Sequence, residues 1–152
     1  MPSEIYSLGD LVRLTDATRS RVTLWTQSGL LTPSVKRAQG TGTRQLFDWI
    51  DLCTCFLLQN LYECGERLDA MRELVSHVKD RFSWPNSPPP AAGPSVFLLK
   101  SRDGVRIVRG SSFEEASKNK AGVLGVNLSL LQRELWKRLQ VARERTEKKP
   151  KR

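Results

Sequence analysis

Apolar positions in residues 6–61 fall into helical clusters separated by short polar breaks. In YSLGDLVRLT, Leu8, Leu11, Val12 and, less regularly, Leu14 supply an inner face, and Ser7 followed three positions later by Asp10 has the form of a capping box. The first helix therefore has a start and a buried side. After Asp16 and Ala17, Thr18 suits the cap of a second helix whose inward positions are Val22 and Trp25. Arg19, Ser20, Arg21 and Thr23 are then left near its exposed N-terminal end. Gly29 offers a left-handed stop, and Leu30 with Leu31 turns the chain back onto the core. Asp48 and Asp51 favour the start of a third helix through its dipole, and Trp49, Leu52, Cys53, Phe56, Leu57 and Leu61 give it a broad apolar surface before Cys64 and Gly65 interrupt it. A fourth helix is expected from near Glu66, with Leu68, Met71, Leu74, Val75, Val78 and Phe82 at helical spacing.

Two helices, a basic two-glycine loop and a third helix in direct succession are the plan of a winged helix-turn-helix. Five prolines in residues 83–95 (SWPNSPPPAAGPS) forbid a continuing helix and favour an extended spacer. Beyond it, VFLLK and VRIVR flank SRDG, so a β-hairpin over residues 96–109 is expected, with its tight turn at Asp103 and Gly104. A short helix is expected at Phe113, Gly122 and Gly125 then bracket a turn, and Asn127 caps a last helix with Leu128, Leu131, Leu135, Leu139 and Ala142 on one stripe. The fold class is mainly α with small β elements. The pattern divides into a winged domain over residues 3–82, the proline-rich linker 83–95, a hairpin-plus-helix accessory module 96–145 and a basic tail 146–152.

With 152 residues and 39% hydrophobic content, the chain can bury one modest core or two small ones. Its net charge of +9 is unevenly placed, because Lys and Arg balance Asp and Glu over residues 1–82 and the whole excess lies beyond. Local charge is more telling: Arg13, Arg19, Arg21, Lys36, Arg37 and Arg44 precede the acidic run of Glu63, Glu66, Asp69, Glu73 and Asp80. The N-terminus shows no basic stretch leading into an apolar run, and no segment reaches the apolar length of a membrane span, so a cytoplasmic location without membrane contact is expected. Three cysteines, an odd number, make a disulfide scaffold improbable.

The tract SGLLTPSVKRAQGTGTRQLFDWIDL resembles the helix-to-wing segment of MerR-type transcriptional regulators, over about residues 6–78. It is closest to a branch with Trp, here Trp25, where better-known members carry Tyr. The resemblance implies double-stranded operator DNA bound by a homodimer, the second helix in the major groove, the wing beside the phosphates, distorted promoter DNA and RNA polymerase as a partner there. Carried onto this chain, the DNA-binding set is Arg19, Ser20, Arg21, Thr23, Lys36, Arg37, Thr43 and Arg44. Of these, Arg19, Ser20 and Arg21 are candidates for base edges, and Lys36 and Arg37 for phosphates. Thr23, Leu24 and Thr26 stand where the best-known members have an Arg, a Tyr and an acidic residue. Residues 96–145 resemble the small C-terminal module of the same branch, although the prolines occupy the place where usual members have a long dimerisation helix.

No cofactor, metal or catalytic role is expected. GTGTR lacks the remaining residues of a phosphate-binding loop, so Gly40 and Gly42 are read as turn residues. Cys53 and Cys55 are two apart on a helix, hence about 200° apart around it, and cannot reach one ion together. They read as small buried residues. His77 lacks a catalytic partner, and no nucleophile motif is present, which argues against an enzyme. Two other functions compete with the regulator. One is an adaptor or antitoxin whose C-terminal module binds a protein partner. The other is a one-component sensor whose module binds a small ligand. The leucine stripe of the last helix fits either packing on its own hairpin or pairing with a second subunit, and the basic tail is either a solvated end or an extra phosphate contact.

Overall fold

The computed structural model describes residues 4–35, 44–87, 93–118 and 122–148. Among them the order is α1 (Leu8–Thr15), α2 (Arg19–Gln27), α3 (Trp49–Glu63), α4 (Leu68–Arg81), β1 (Ser95–Ser101), β2 (Gly104–Gly110), α5 (Phe113–Ser117), β3 (Leu124–Asn127) and α6 (Leu128–Glu147). The fold is mainly α with a small antiparallel sheet. None of the described helices is long and apolar enough to cross a membrane.

The helix starts follow from local chemistry. Ser7 and Asp10 form the reciprocal capping box of α1, and Asp48 and Asp51 form another at α3. Thr18 and Asn127 accept from the backbone N–H three residues on to cap α2 and α6. The α1–α2 turn takes only Asp16, Ala17 and Thr18, with Asp16 left-handed at φ 65°. The Thr15 hydroxyl donates to the Leu11 carbonyl at 2.6 Å and accepts from the Ala17 N–H at 3.3 Å, so the turn is held from both sides.

In the sheet, order β2-β1-β3, Ser95 pairs with Gly110 and Ser101 with Gly104, leaving Arg102 and Asp103 as the connection and Gly104, at φ 118°, opening β2. The tight turn thus lies one residue earlier than expected. A larger difference concerns Gly125. It lies inside β3, paired with Leu99 of β1, and only Gly122 keeps a turn-like φ of 77°. Gly125 is needed there because a Cβ would come 2.5 Å from the Phe113 ring and 2.9 Å from Leu99.

β1 is buried on both faces. Phe97 and Leu99 pack with Ala116 and Phe113 of α5, whereas Leu98 joins the large core. That core is continuous across the proline-rich segment: Leu11, Val22, Trp25, Leu52, Leu57, Met71 and Val78 share it with Leu128, Leu131, Leu135 and Leu139 of α6. Trp136 meets Trp49 edge-on at 5.7 Å, and the Pro85 carbonyl accepts from Trp49 Nε1 at 2.9 Å and from Gln132 Nε2. The leucine stripe of α6 therefore packs on both the sheet and the N-terminal helices. Arg138 ties α6 to the α1–α2 turn, donating to the Leu14 carbonyl at 3.1 Å and the Asp16 carboxylate at 2.8 Å while stacking on Phe56.

Candidate nucleic-acid interface

Burial of Val22 and Trp25 fixes how α2 is rolled on the core: Trp25 is 1% exposed and Leu24, its neighbour, 49%. Arg19, Ser20, Leu24 and Gln27 consequently form the open face of α2. Arg19 lies across the start of α1, one guanidinium nitrogen 3.8 Å from where a Cβ on Gly9 would be. Thr23 is half-buried and donates its hydroxyl hydrogen to the Arg19 carbonyl at 2.8 Å, so a partner beyond the helix meets it as an acceptor. At the far end, Gly29 at φ 79° reverses the chain, and Arg72 of α4 donates to the Ser28 carbonyl at 2.9 Å.

Arg21 is placed differently from its neighbours. Its Nη1 donates to Gln59 Oε1 at 2.8 Å, and its guanidinium carbon sits 3.9 Å from the centroid of the Tyr62 ring, both on the last turns of α3. Gln59 in turn donates to Glu63 at 2.8 Å. Neither Gln59 nor Tyr62 was legible as part of this surface in the sequence. The available signal was the polar Gln59 after the apolar stretch of Phe56, Leu57 and Leu58 in α3, where it is 4% exposed.

Lys36, Arg37 and Thr43 lie outside the described residues, as do Gly40 and Gly42. The segments that flank them are close together, since the Val35 N–H donates to the Leu46 carbonyl at 3.3 Å. Asp51 anchors this base by accepting from the Ser34 N–H at 2.8 Å, the Ser34 hydroxyl at 2.7 Å and the Asp48 N–H at 3.0 Å. Burial raises its pKa, opposed by the hydrogen bonds from Ser34 and Asp48. Arg44, two residues before Leu46, is exposed. The structure thus groups Arg19, Ser20, Arg21 and Thr23 on one helix and places Arg44 on the separate segment that leads to Leu46.

No family profile matches the chain. Three proteins, each named as an uncharacterized HTH-type transcriptional regulator, are similar to it. One is from Mycobacterium bovis and two are from strains of Mycobacterium tuberculosis, each 25% identical over 114 residues, or 73% of this chain. The chain spans about half the length of these relatives, 47% in each case. The relationship is therefore a distant one to HTH-type regulators.

Burial lifts the Cys53 thiol well above its ordinary range and Cys55 to about 12, although Thr15 at 3.6 Å from the Cys55 sulfur opposes the shift. Cys64 is exposed, and among the described residues no group of three or more His, Cys, Asp and Glu side chains is arranged to hold a metal. A cleft of about 140 Å³ opens beside Cys64, walled by Leu61, Leu74, Leu98 and Val126 and by the Lys100–Glu66 ion pair at 3.1 Å.

Proposed function

We propose that this chain is a sequence-specific DNA-binding transcriptional regulator of MerR type. It acts as a homodimer that lays α2 in the major groove of each half-site and the wing, through Lys36 and Arg37, beside the adjoining phosphates, at a promoter also engaged by RNA polymerase. The observation that carries the reading is the roll of α2. With Val22 and Trp25 buried, Arg19 and Ser20 are exposed at the N-terminal end of a helix that follows a three-residue turn, Leu24 is exposed further along it, and Arg44 is exposed on a separate segment. The names of the mycobacterial relatives support the same class.

Selection from a random duplex library, followed by salt titration of the winner against a scrambled duplex, tests it. The expected result is a palindromic consensus bound at least a hundredfold more tightly than the control. Arg44→Ala should weaken both complexes alike and reduce the salt slope by about 1. Equal, steeply salt-dependent binding to every duplex would remove the specific regulator from consideration.

A second reading, a sensor of small ligands, is favoured by the cleft beside Cys64. Its volume of about 140 Å³ suits a molecule near one aromatic ring in size, with Lys100 and Glu66 at hand for a single polar group. Titration with phenol or indole, read as a rise in melting temperature that Val126→Trp abolishes, tests that reading. Unchanged melting up to the solubility limit of both probes counts against it.

A further inference from the structure

Arg21 is a candidate base reader whose guanidinium is held by a hydrogen bond and a ring contact from another helix, α3. A surface arginine carries rotamer freedom that binding must remove, and a guanidinium already fixed in place loses less of it. Here the plane is defined by two unrelated contacts, the Gln59 hydrogen bond at 2.8 Å and the Tyr62 ring at 3.9 Å. Gln59 has a single carbonyl oxygen to offer, and which end of its amide faces Arg21 is decided by Glu63, which accepts from its nitrogen at 2.8 Å. Because Gln59 is 4% exposed and lies between the two, it cannot exchange these partners for water. The described contact uses one of five guanidinium N–H donors, so a fork remains that can address a base edge.

We infer that Gln59, Tyr62 and Glu63 of α3 are positioning residues that aim Arg21, making the end of α3 a determinant of operator sequence although it lies outside the reading helix. The inference rests on the proposed reading of DNA by α2. Charge order within the relay matters: Arg21 needs an acceptor at position 59, and position 59 needs an acceptor at position 63. Gln59→Glu alone keeps an acceptor for Arg21 but sets a second carboxylate against Glu63. The paired change Gln59→Glu with Glu63→Gln restores a donor and acceptor at every step with the same net charge.

The test is the library selection repeated on the full chain with Gln59→Leu, Tyr62→Leu and the paired swap, each checked for its melting temperature and for salt slope on a scrambled duplex. Gln59→Leu should lose about tenfold preference at one base pair of each half-site, with nonspecific affinity and salt slope unchanged, and the swap should recover it. Tyr62→Leu should lose preference at that same base pair. A Gln59→Leu profile identical to wild type would overturn the inference and leave the proposed function standing. A wild-type chain that enriches no sequence would overturn both. Should Gln59→Leu fail to fold, Gln59→Met, of similar length, is read in the same way.

Discussion

Trp25 and Arg21 are separated by one helical turn yet face opposite problems. Trp25 must hide an indole, and its burial rolls α2, whereas Arg21 must keep a charge near water while holding a fixed direction. The sequence pattern placed Trp25 correctly in the core because periodicity reports burial directly. It could not place Arg21 against Gln59, 38 residues away, because such contacts depend on how helices pack. The three thiols divide on the same principle. In the native chain Cys64 should react with a thiol reagent within minutes, and Cys53 and Cys55 only after denaturant is added; fast reaction of all three would contradict their burial. Burial also predicts alkaline weakness. Desolvation is the first cause that raises Cys55 from 9.0, and Tyr6 from 10.0, to about 12 in the fold. Both groups stay protonated longer in the native than in the unfolded state. Their contribution is therefore full below pH 9 and lost as pH rises from about 9 to 12. The urea midpoint should fall over that window, and less steeply in Cys55→Ala; a flat profile would sink the argument.

At the scale of elements, cap residues, the acidic start at Asp48 and Asp51 and periodicity made α1, α2, α3, α4 and α6 legible, since these signals are local. β3 was missed for a physical reason. Its four residues contain a glycine, and glycine in so short a segment reads as a turn, yet Gly125 is there to make space for Phe113. Gly125→Ala should destabilise the chain by about 1 kcal/mol through overpacking, and Phe113→Leu should recover part of that loss in the double variant. Equal melting temperatures for Gly125→Ala and wild type would mean that the ring has room to swing aside. Lys36, Arg37 and Thr43 of the expected DNA-binding set fall outside the described residues, so the candidate interface is legible at α2 and at Arg44 alone.

For the whole molecule, prolines in residues 83–95 suggest separation, while the core runs through both segments. Trp49, Trp136 and the Pro85 carbonyl show how: a spacer can carry the chain across without parting the surfaces on either side. Leu135→Ala, at a side chain 0% exposed in that shared core, should cost about 2–5 kcal/mol. Near-ultraviolet and far-ultraviolet signals should still be lost in one coincident transition. Two separated transitions would show that the segments melt independently.

The bond from Arg138 to the Leu14 carbonyl spans 124 positions. At synthesis rates of about 5–20 residues per second, the turn between the first two helices waits on the order of ten seconds for the arginine that fastens it. A nascent chain emerging from the ribosome thus carries α2 before it carries the clamp. Until α6 has been made, the turn between α1 and α2 lacks the guanidinium that fastens it, so the order of that end depends on a helix far along the chain.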